Sequence, residues 1–307
     1  MNALNTRMEA VSGSEGVDKG AMARILIFDG APARSQQVIA SYGGPNNTEM
    51  FERALSLHQS GLEFFSLNVA DGERLPQGVS LADFDGIVIT GSPFSVNKAR
   101  PEVTRQIDLA YESFGMGVPI YGSCWGLQLM TVVLGGVVRL NPEGREIGIA
   151  RNIALNEAGS GHFLFAGKAK AFDALCTHED EVETLPPDAV VIASNSVSTV
   201  QAVDIRRGTS HFVGVQYHPE HTFATAAAII EARQERLVGE GFAQSVEGLR
   251  SVIADLRTLE VDPSRRDIAW KLGVDRQVLD PRLRSAELGN WLRASVLPRR
   301  AERAAVA

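Results

Sequence analysis

Cysteine is scarce in this chain. Cys124 and Cys176 are the only two among 307 residues, which excludes a disulfide-stapled secreted scaffold and suits a reducing cytoplasm. Long apolar runs are missing too, and without the roughly 20 consecutive apolar residues that a spanning helix needs, no membrane partner is expected. Positive charge is outnumbered: 30 Lys and Arg face 37 Asp and Glu, for a net charge of -7, which disfavours nucleic acid as a partner. No ligand cluster of zinc type occurs, so neither a metal nor an organic cofactor is expected. Residues 1–20 are polar and lack the apolar core of a signal peptide. Residues 1–21 read as a disordered extension, and Met22 is as good a start as Met1. A chain that is 44% hydrophobic and 22% charged suits one globular domain of ordinary size plus additions.

What is present, from Arg24 onward, is an alternation of two kinds of segment. Ile25 to Phe28, Phe64 to Val69, Ile87 to Ile89 and Val118 to Tyr121 are short apolar runs of the buried parallel-strand type. Helical stretches lie between them, notably Glu49 to Ser60, closed by Gly61, and Glu102 to Phe114. The alternation predicts an α/β fold: a doubly wound, mostly parallel sheet with helices on both faces. Ala189 to Ala193, Thr199 to Val203 and Phe212 to Tyr217 read as further strands, and Thr222 to Leu237 as a closing helix.

One apolar run, Pro119-Ile120-Tyr121, ends abruptly in Gly122-Ser123-Cys124-Trp125-Gly126-Leu127-Gln128. A strand that turns sharply into a helix strains its corner residue, so glycines flank the corner where side chains would collide. The Cys124 thiol then stands at a helix N-terminus, where the dipole favours the thiolate that attacks carbonyl carbon. Cys176, without such spacing, reads as a small core hydrophobe. Downstream, Phe212 to Tyr217 delivers His218-Pro219-Glu220. In extended chain, residues i and i+2 point the same way, so Glu220 is placed to orient the His218 ring. Cys124, His218 and Glu220 thus supply nucleophile, base and orienting carboxylate. His58, His162, His211 and His221 have no comparable neighbours.

These segments resemble the class I glutamine amidotransferase domain, nearest to its GMP synthase type. Three more pieces appear in the family's order: Thr90-Gly91-Ser92-Pro93-Phe94-Ser95-Val96, Glu146-Ile147-Gly148, and Thr177-His178-Glu179-Asp180-Glu181-Val182 with Leu185-Pro186. The likeness spans roughly residues 24 to 237. It implies an oxyanion hole made by the backbone N–H groups of Trp125 and the Gly91-Ser92 loop, and it places Gln128, His178 and Asp180 near bound glutamine. Ser92 departs from the pattern, since GMP synthases usually carry a second glycine there. No synthetase domain follows, so the resemblance is to a standalone amidotransferase unit over residues 22–240.

Residues 241–307 read as a helical C-terminal extension. Asp267 to Asp275 superficially resembles a helix-turn-helix, but Pro281 leaves too little length for a recognition helix. Leu288, Trp291 and Leu292 share one helical face, read as packing onto the main domain, with a dimer or partner surface as the alternative. Two weak matches to phosphate loops, Ser12 to Asp18 and Gly161 with Gly167-Lys168, fail on context and spacing.

The expected function is hydrolysis of the glutamine amide through a γ-glutamyl thioester on Cys124, giving glutamate and ammonia for a separate synthetase. The alternatives are hydrolysis of another γ-glutamyl compound, as by a γ-glutamyl peptidase, and, less favoured, a non-catalytic regulator on the same fold. Expected partners are therefore glutamine or a γ-glutamyl compound and an ammonia-accepting synthetase, with a homo-oligomer left open.

Overall fold

The computed structural model describes residues 22–306. The expected N-terminal extension, residues 1–21, and the weak motif from Ser12 to Asp18 fall outside that range. The chain opens with β1 (Ala23–Asp29), an unbroken apolar run whose alternate side chains enter opposite cores. Ile25 and Ile27 join one apolar cluster, Leu26 and Phe28 the other, as a strand covered on both faces requires. Next come α1 (Ala33–Ser41) and α2 (Asn47–Ser56), the latter opened by a capping box between Asn46 and Glu49. They are followed by β2 (Leu62–Asn68), β3 (Gly86–Ile89), α3 (Pro101–Gly115), β4 (Ile120–Ser123) and α4 (Trp125–Val133).

The chain continues through β5 (Val137–Leu140), β6 (Glu146–Leu155), the single turn α5 (Glu157–Ser160) and β7 (Ala171–His178). Then come β8 (Asp180–Thr184), β9 (Ala189–Ser194), β10 (Ala202–Arg207) and β11 (Ser210–Val215). Nine of the strands form one sheet in the order β2-β1-β3-β4-β11-β10-β9-β6-β7, and β5 pairs with β8 apart from it. The run from β2 to β11 is parallel; β10, β9, β6 and β7 extend it antiparallel. α2 supplies Phe51, Ala54 and Leu55 to one face, while α3 and α4 supply Val103, Ala110, Leu127 and Met130 to the other. This is the doubly wound α/β arrangement that the alternation predicts. Thr90, Cys124 and the 216–221 turn all lie beyond the carboxyl ends of adjacent parallel strands, where such sheets place their chemistry.

Two elements differ from the sequence reading. The strand expected over Thr199 to Val203 lies further on, at β10, because Asn195 holds a turn: its side-chain oxygen accepts from the N–H groups of Val197 and Ser198. Val200 is buried from that loop, so its apolar character came from the core and not from a strand. The helix expected over Thr222 to Leu237 is broken at Arg233, into α6 (Phe223–Ala232) and α7 (Gln234–Gly239).

After α7 the chain is helical: α8 (Val246–Val261), α9 (Arg266–Leu272), α10 (Arg276–Leu279), α11 (Pro281–Arg284), α12 (Ala286–Trp291) and α13 (Leu297–Val306). The stretch resembling a helix-turn-helix becomes α9 and a one-turn α10, with Pro281 starting α11. Leu288, Trp291 and Leu292 are fully buried in the same cluster as Ile25, Val88 and Tyr121, which is the packing role their spacing predicts. A side chain at Gly86 would meet the Trp291 ring at 2.7 Å, so β3 is shaped to receive it. Lys168 of the rejected phosphate loop forms a buried ion pair with Glu287, 2.9 Å away. No helix among the described residues is long and apolar enough to cross a membrane.

Candidate active site

Cys124 has φ 51° and ψ −97°, a conformation that costs a non-glycine residue about 1–3 kcal/mol and persists only where its surroundings impose it. Here they do. The Cys124 N–H donates to the Val215 carbonyl at 2.7 Å, tying the corner to β11. A Cβ at Gly122 would sit 2.7 Å from the Gly126 backbone, and one at Gly126 only 2.6 Å from the Ile89 carbonyl oxygen. Both flanking glycines are therefore steric necessities. Trp125 opens α4, so its N–H is among the first-turn donors that have no acceptor within the helix. The Cys124 sulfur lies 3.6 Å from the Thr177 carbonyl oxygen.

His218 and Glu220 meet it from β11. Nδ1 of His218 is 2.7 Å from Glu220 Oε1, and the other Glu220 oxygen accepts from the Ser123 hydroxyl at 2.9 Å. Nε2 of His218 is buried with no hydrogen-bond partner among the described residues. Burial alone would lower the pKa of this ring; the Glu220 carboxylate and then the Cys124 thiolate outweigh it and hold the value up at about 10. The Glu220 carboxylate and the Cys124 sulfur thus both favour the charged form of His218.

His221, which the sequence reading passed over, is part of the same structure. Its ring is stacked on that of His218, centroids 3.8 Å apart and planes within 6°. Burial and then the His218 charge hold its pKa well below the usual range, so it is a neutral ring against a charged one. His218, Glu220 and His221 offer ligand atoms within 4.8 Å of one another. Imidazole binds a metal in its ring plane, and parallel rings so spaced share no such point, so the set does not fit a metal ion.

The loop after β3 is fixed by residues from three elements. Asp29 Oδ1 accepts from Asn47 Nδ2 at 2.9 Å and from the Thr90 hydroxyl at 3.2 Å, and Asn47 Nδ2 also donates to the Gly91 carbonyl at 3.1 Å. Burial raises the Asp29 pKa, against the hydrogen bonds from Asn47, Ala31, Gln36 and Thr90. The His218 ring packs on Gly91, where a Cβ would lie 2.8 Å from Cε1. Gly91 therefore has to be glycine. Ser92 occupies the next position, and its hydroxyl accepts from the Phe94 N–H at 3.3 Å.

Cys124 stands in the shared wall of two chambers. One, of about 270 Å³, presents a mainly apolar surface from Val38, Ile39, Met50 and Ile229, with polar side chains, His218 and His221 among them, interspersed. The other, of about 810 Å³, is polar and holds Gln128, His178, Asp180, Lys98 and Arg100. Ser92, Thr177 and Arg233 line both. His218 borders the apolar chamber and not the polar one.

The structure thus brings Gln128, His178 and Asp180 together with Cys124, and most of their polar groups are already engaged. Gln128 Nε2 donates to the Asp180 carbonyl at 3.0 Å, and the Asp180 carboxylate accepts from the Ser95 hydroxyl at 2.5 Å. His178 has Nδ1 against the Asp180 carbonyl and Nε2 2.9 Å from Glu146. Glu146 is also held by Asn195 and Gln201. These bonds, led by the one from His178, overcome burial and keep its carboxyl below its ordinary pKa. Cys176 lies in the core, where burial pushes its thiol pKa well up, as expected of an inert thiol.

Comparison with known proteins agrees with this geometry. A hydrolase of Pseudomonas sp. named for γ-glutamyl-L-1-hydroxyisopropylamide is 32% identical over 280 residues, covering 90% of this chain and 94% of that protein. A GMP synthase of Lactococcus lactis subsp. cremoris is 35% identical over 135 residues, 44% of this chain but only 24% of that protein. A glutamine amidotransferase of Thermotoga maritima shares the fold with a TM-score of 0.64 at 19% identity, over 89% of this chain and 98% of its own. The family model for class I glutamine amidotransferases matches residues 44–233, a span that carries the Cys124 corner, the loop after β3 and His218. The chain is a hydrolytic enzyme belonging to the class I glutamine amidotransferase family.

Proposed function

We propose that the enzyme hydrolyses γ-glutamyl amides through a thioester on Cys124, with a small apolar amine as the leaving group. The observation that carries this reading is the position of His218 on the apolar chamber alone. The group that protonates the departing nitrogen must face it, so the amine side of the substrate belongs in the apolar chamber and the glutamyl side in the polar one. Ammonia has no use for about 270 Å³ of apolar volume. The Pseudomonas relative is named for a γ-glutamyl amide whose three-carbon amine also carries a hydroxyl.

The Cys124 thiolate attacks the γ-carbonyl carbon, and the resulting oxyanion takes hydrogen bonds from the backbone N–H of Trp125 and the Gly91-Ser92 loop. His218, held by Glu220, gives its Nε2 proton to the nitrogen, the C–N bond breaks and the amine leaves. Water, losing a proton to the now neutral His218, attacks the thioester; glutamate departs and the thiolate–imidazolium pair returns. Ser123 and His221 hold Glu220 and the ring in place. Amide and water are consumed, and glutamate and amine are released, with no other reactant.

A substrate panel tests the assignment. Burial is worth about 0.8 kcal/mol per CH2, so an isopropyl group should improve kcat/KM by about 2 kcal/mol, roughly 30-fold over glutamine. Glutamine favoured over γ-glutamyl isopropylamide would reverse the reading toward an ammonia-producing glutaminase, the activity suited to a synthetase partner.

A further inference from the structure

Along one wall of the polar chamber, positive and negative side chains do not balance. Arg145 pairs with Glu179 and with Glu240, each at 2.8 Å. Arg236 pairs with the same two carboxylates, each at 2.6 Å. Arg233, three residues before Arg236 at the break after α6, forms no ion pair among the described residues. Its Nη1 donates to the Thr177 hydroxyl at 2.8 Å, the residue whose carbonyl also meets the Cys124 sulfur. Three guanidinium groups thus share two carboxylates, and the one left over lines both chambers beside the nucleophile.

The charge on Arg233 is held at a cost. Burial lowers its pKa, Arg145 and Arg236 push the same way, and Cys124 and, more weakly, Glu179 oppose them. A guanidinium remains protonated through such shifts, so the cost falls on the free enzyme. An anion placed there removes it. The planar fork of arginine matches a carboxylate in two parallel hydrogen bonds, and γ-glutamyl substrates carry carboxylates.

We propose that Arg233 is a specificity determinant that binds a substrate carboxylate at the junction of the two chambers. The proposal rests on the reading of the enzyme as a γ-glutamyl amide hydrolase. Two sources supply the same chemistry: the α-carboxylate of the glutamyl group, or a carboxylate on the departing amine when that amine is an amino acid.

The test has an arm that needs no turnover. Iodoacetate and iodoacetamide are similar in size and differ in charge, and both alkylate a reactive thiol. The ratio of their rates at Cys124, followed by peptide mapping, reads an anion site beside the sulfur. In R233Q the ratio should fall at least tenfold with the iodoacetamide rate little changed, and R233K, which keeps the charge but not the fork, should retain only part of it. A ratio unchanged in R233Q overturns the proposal; should R233Q fail to fold, a kcat/KM on γ-glutamyl-alanine unchanged in R233K does the same, because a point charge cannot replace the fork.

Turnover then separates the sources. If the α-carboxylate is bound, R233Q loses at least tenfold in kcat/KM on γ-glutamyl isopropylamide and γ-glutamyl-alanine alike. If the amine carboxylate is bound, the loss is confined to γ-glutamyl-alanine. Loss on neither overturns the proposal. A wild-type enzyme that cleaves no γ-glutamyl amide but shows the charge-dependent alkylation would sink the functional reading and leave the carboxylate site standing.

Discussion

The ring of His221 lies flat against that of His218, with centroids 3.8 Å apart and planes within 6°. The contact follows from the tight turn after β11, in which the His221 N–H donates to the His218 carbonyl at 3.2 Å. One ring is held neutral and the other charged. The neutral ring therefore acts as a floor that fixes the plane of the imidazolium without competing for its protons. His221→Ala should lower kcat by on the order of 10-fold, since small misplacements of a catalytic group are costly. His221→Phe, which keeps a flat ring, should stay within about threefold of wild type by the same reasoning. Steady-state kinetics decide, and equal losses in both variants would show that stacking is not what His221 provides.

The alkaline limb of the pH–rate profile should report His218. Its folded pKa, about 10, is raised above the ordinary 6.5, so the imidazolium and its pairing with Glu220 persist through neutral and mildly alkaline pH and are lost as pH rises through about 10. kcat/KM should hold from neutral to mildly alkaline pH and fall above that. Glu220→Gln removes the largest raising influence, so its alkaline limb should move to lower pH. Cys124→Ala should lower the His218 pKa too, as read by NMR of the ring, because the thiolate also raises it. An unmoved limb in Glu220→Gln would contradict the coupling.

Filling the apolar chamber should invert selectivity. Ile39 lines it from α1 and is only partly buried, so Ile39→Trp can be accommodated without rebuilding the core. Turnover of γ-glutamyl isopropylamide should fall by about 10-fold or more while glutamine turnover is largely kept, as for pockets that discriminate by a few methylenes. Parallel losses on both substrates would place the amine elsewhere.

The catalytic centre was far more legible in the sequence than its support. Gly122 and Gly126 announce the elbow because a side chain at either would collide with backbone, and His218 and Glu220 are neighbours in the chain. Asp29, Asn47 and Thr90, which hold the loop after β3, come from separate elements and meet only in three dimensions. Arg233 sits inside what reads as one continuous helix, and the break there turns it to the chambers. His221 carries no pattern of its own, since its role arises from a turn. The Leu288, Trp291, Leu292 face was legible as packing because helical spacing shows it directly; that Glu287 beside it would meet Lys168 and Tyr217 was not.

That buried pair should be costly to break and cheap to replace. Lys168→Met alone strands the Glu287 carboxylate and should lower stability by about 3–5 kcal/mol, whereas Lys168→Met with Glu287→Leu should recover most of it. Urea denaturation monitored by Trp fluorescence would check both. A double variant no better than the single would mean that the ion pair itself, and not the isolation of one charge, sustains the packing of α12.

The most direct test of the account is rapid-quench mass spectrometry of the enzyme mixed with γ-glutamyl isopropylamide. A γ-glutamyl adduct should appear on the Cys124 peptide while isopropylamine is released in a burst ahead of glutamate, and Cys124→Ser should show neither. Glutamate and amine appearing together with no adduct, or an adduct on the Cys176 peptide, would contradict it.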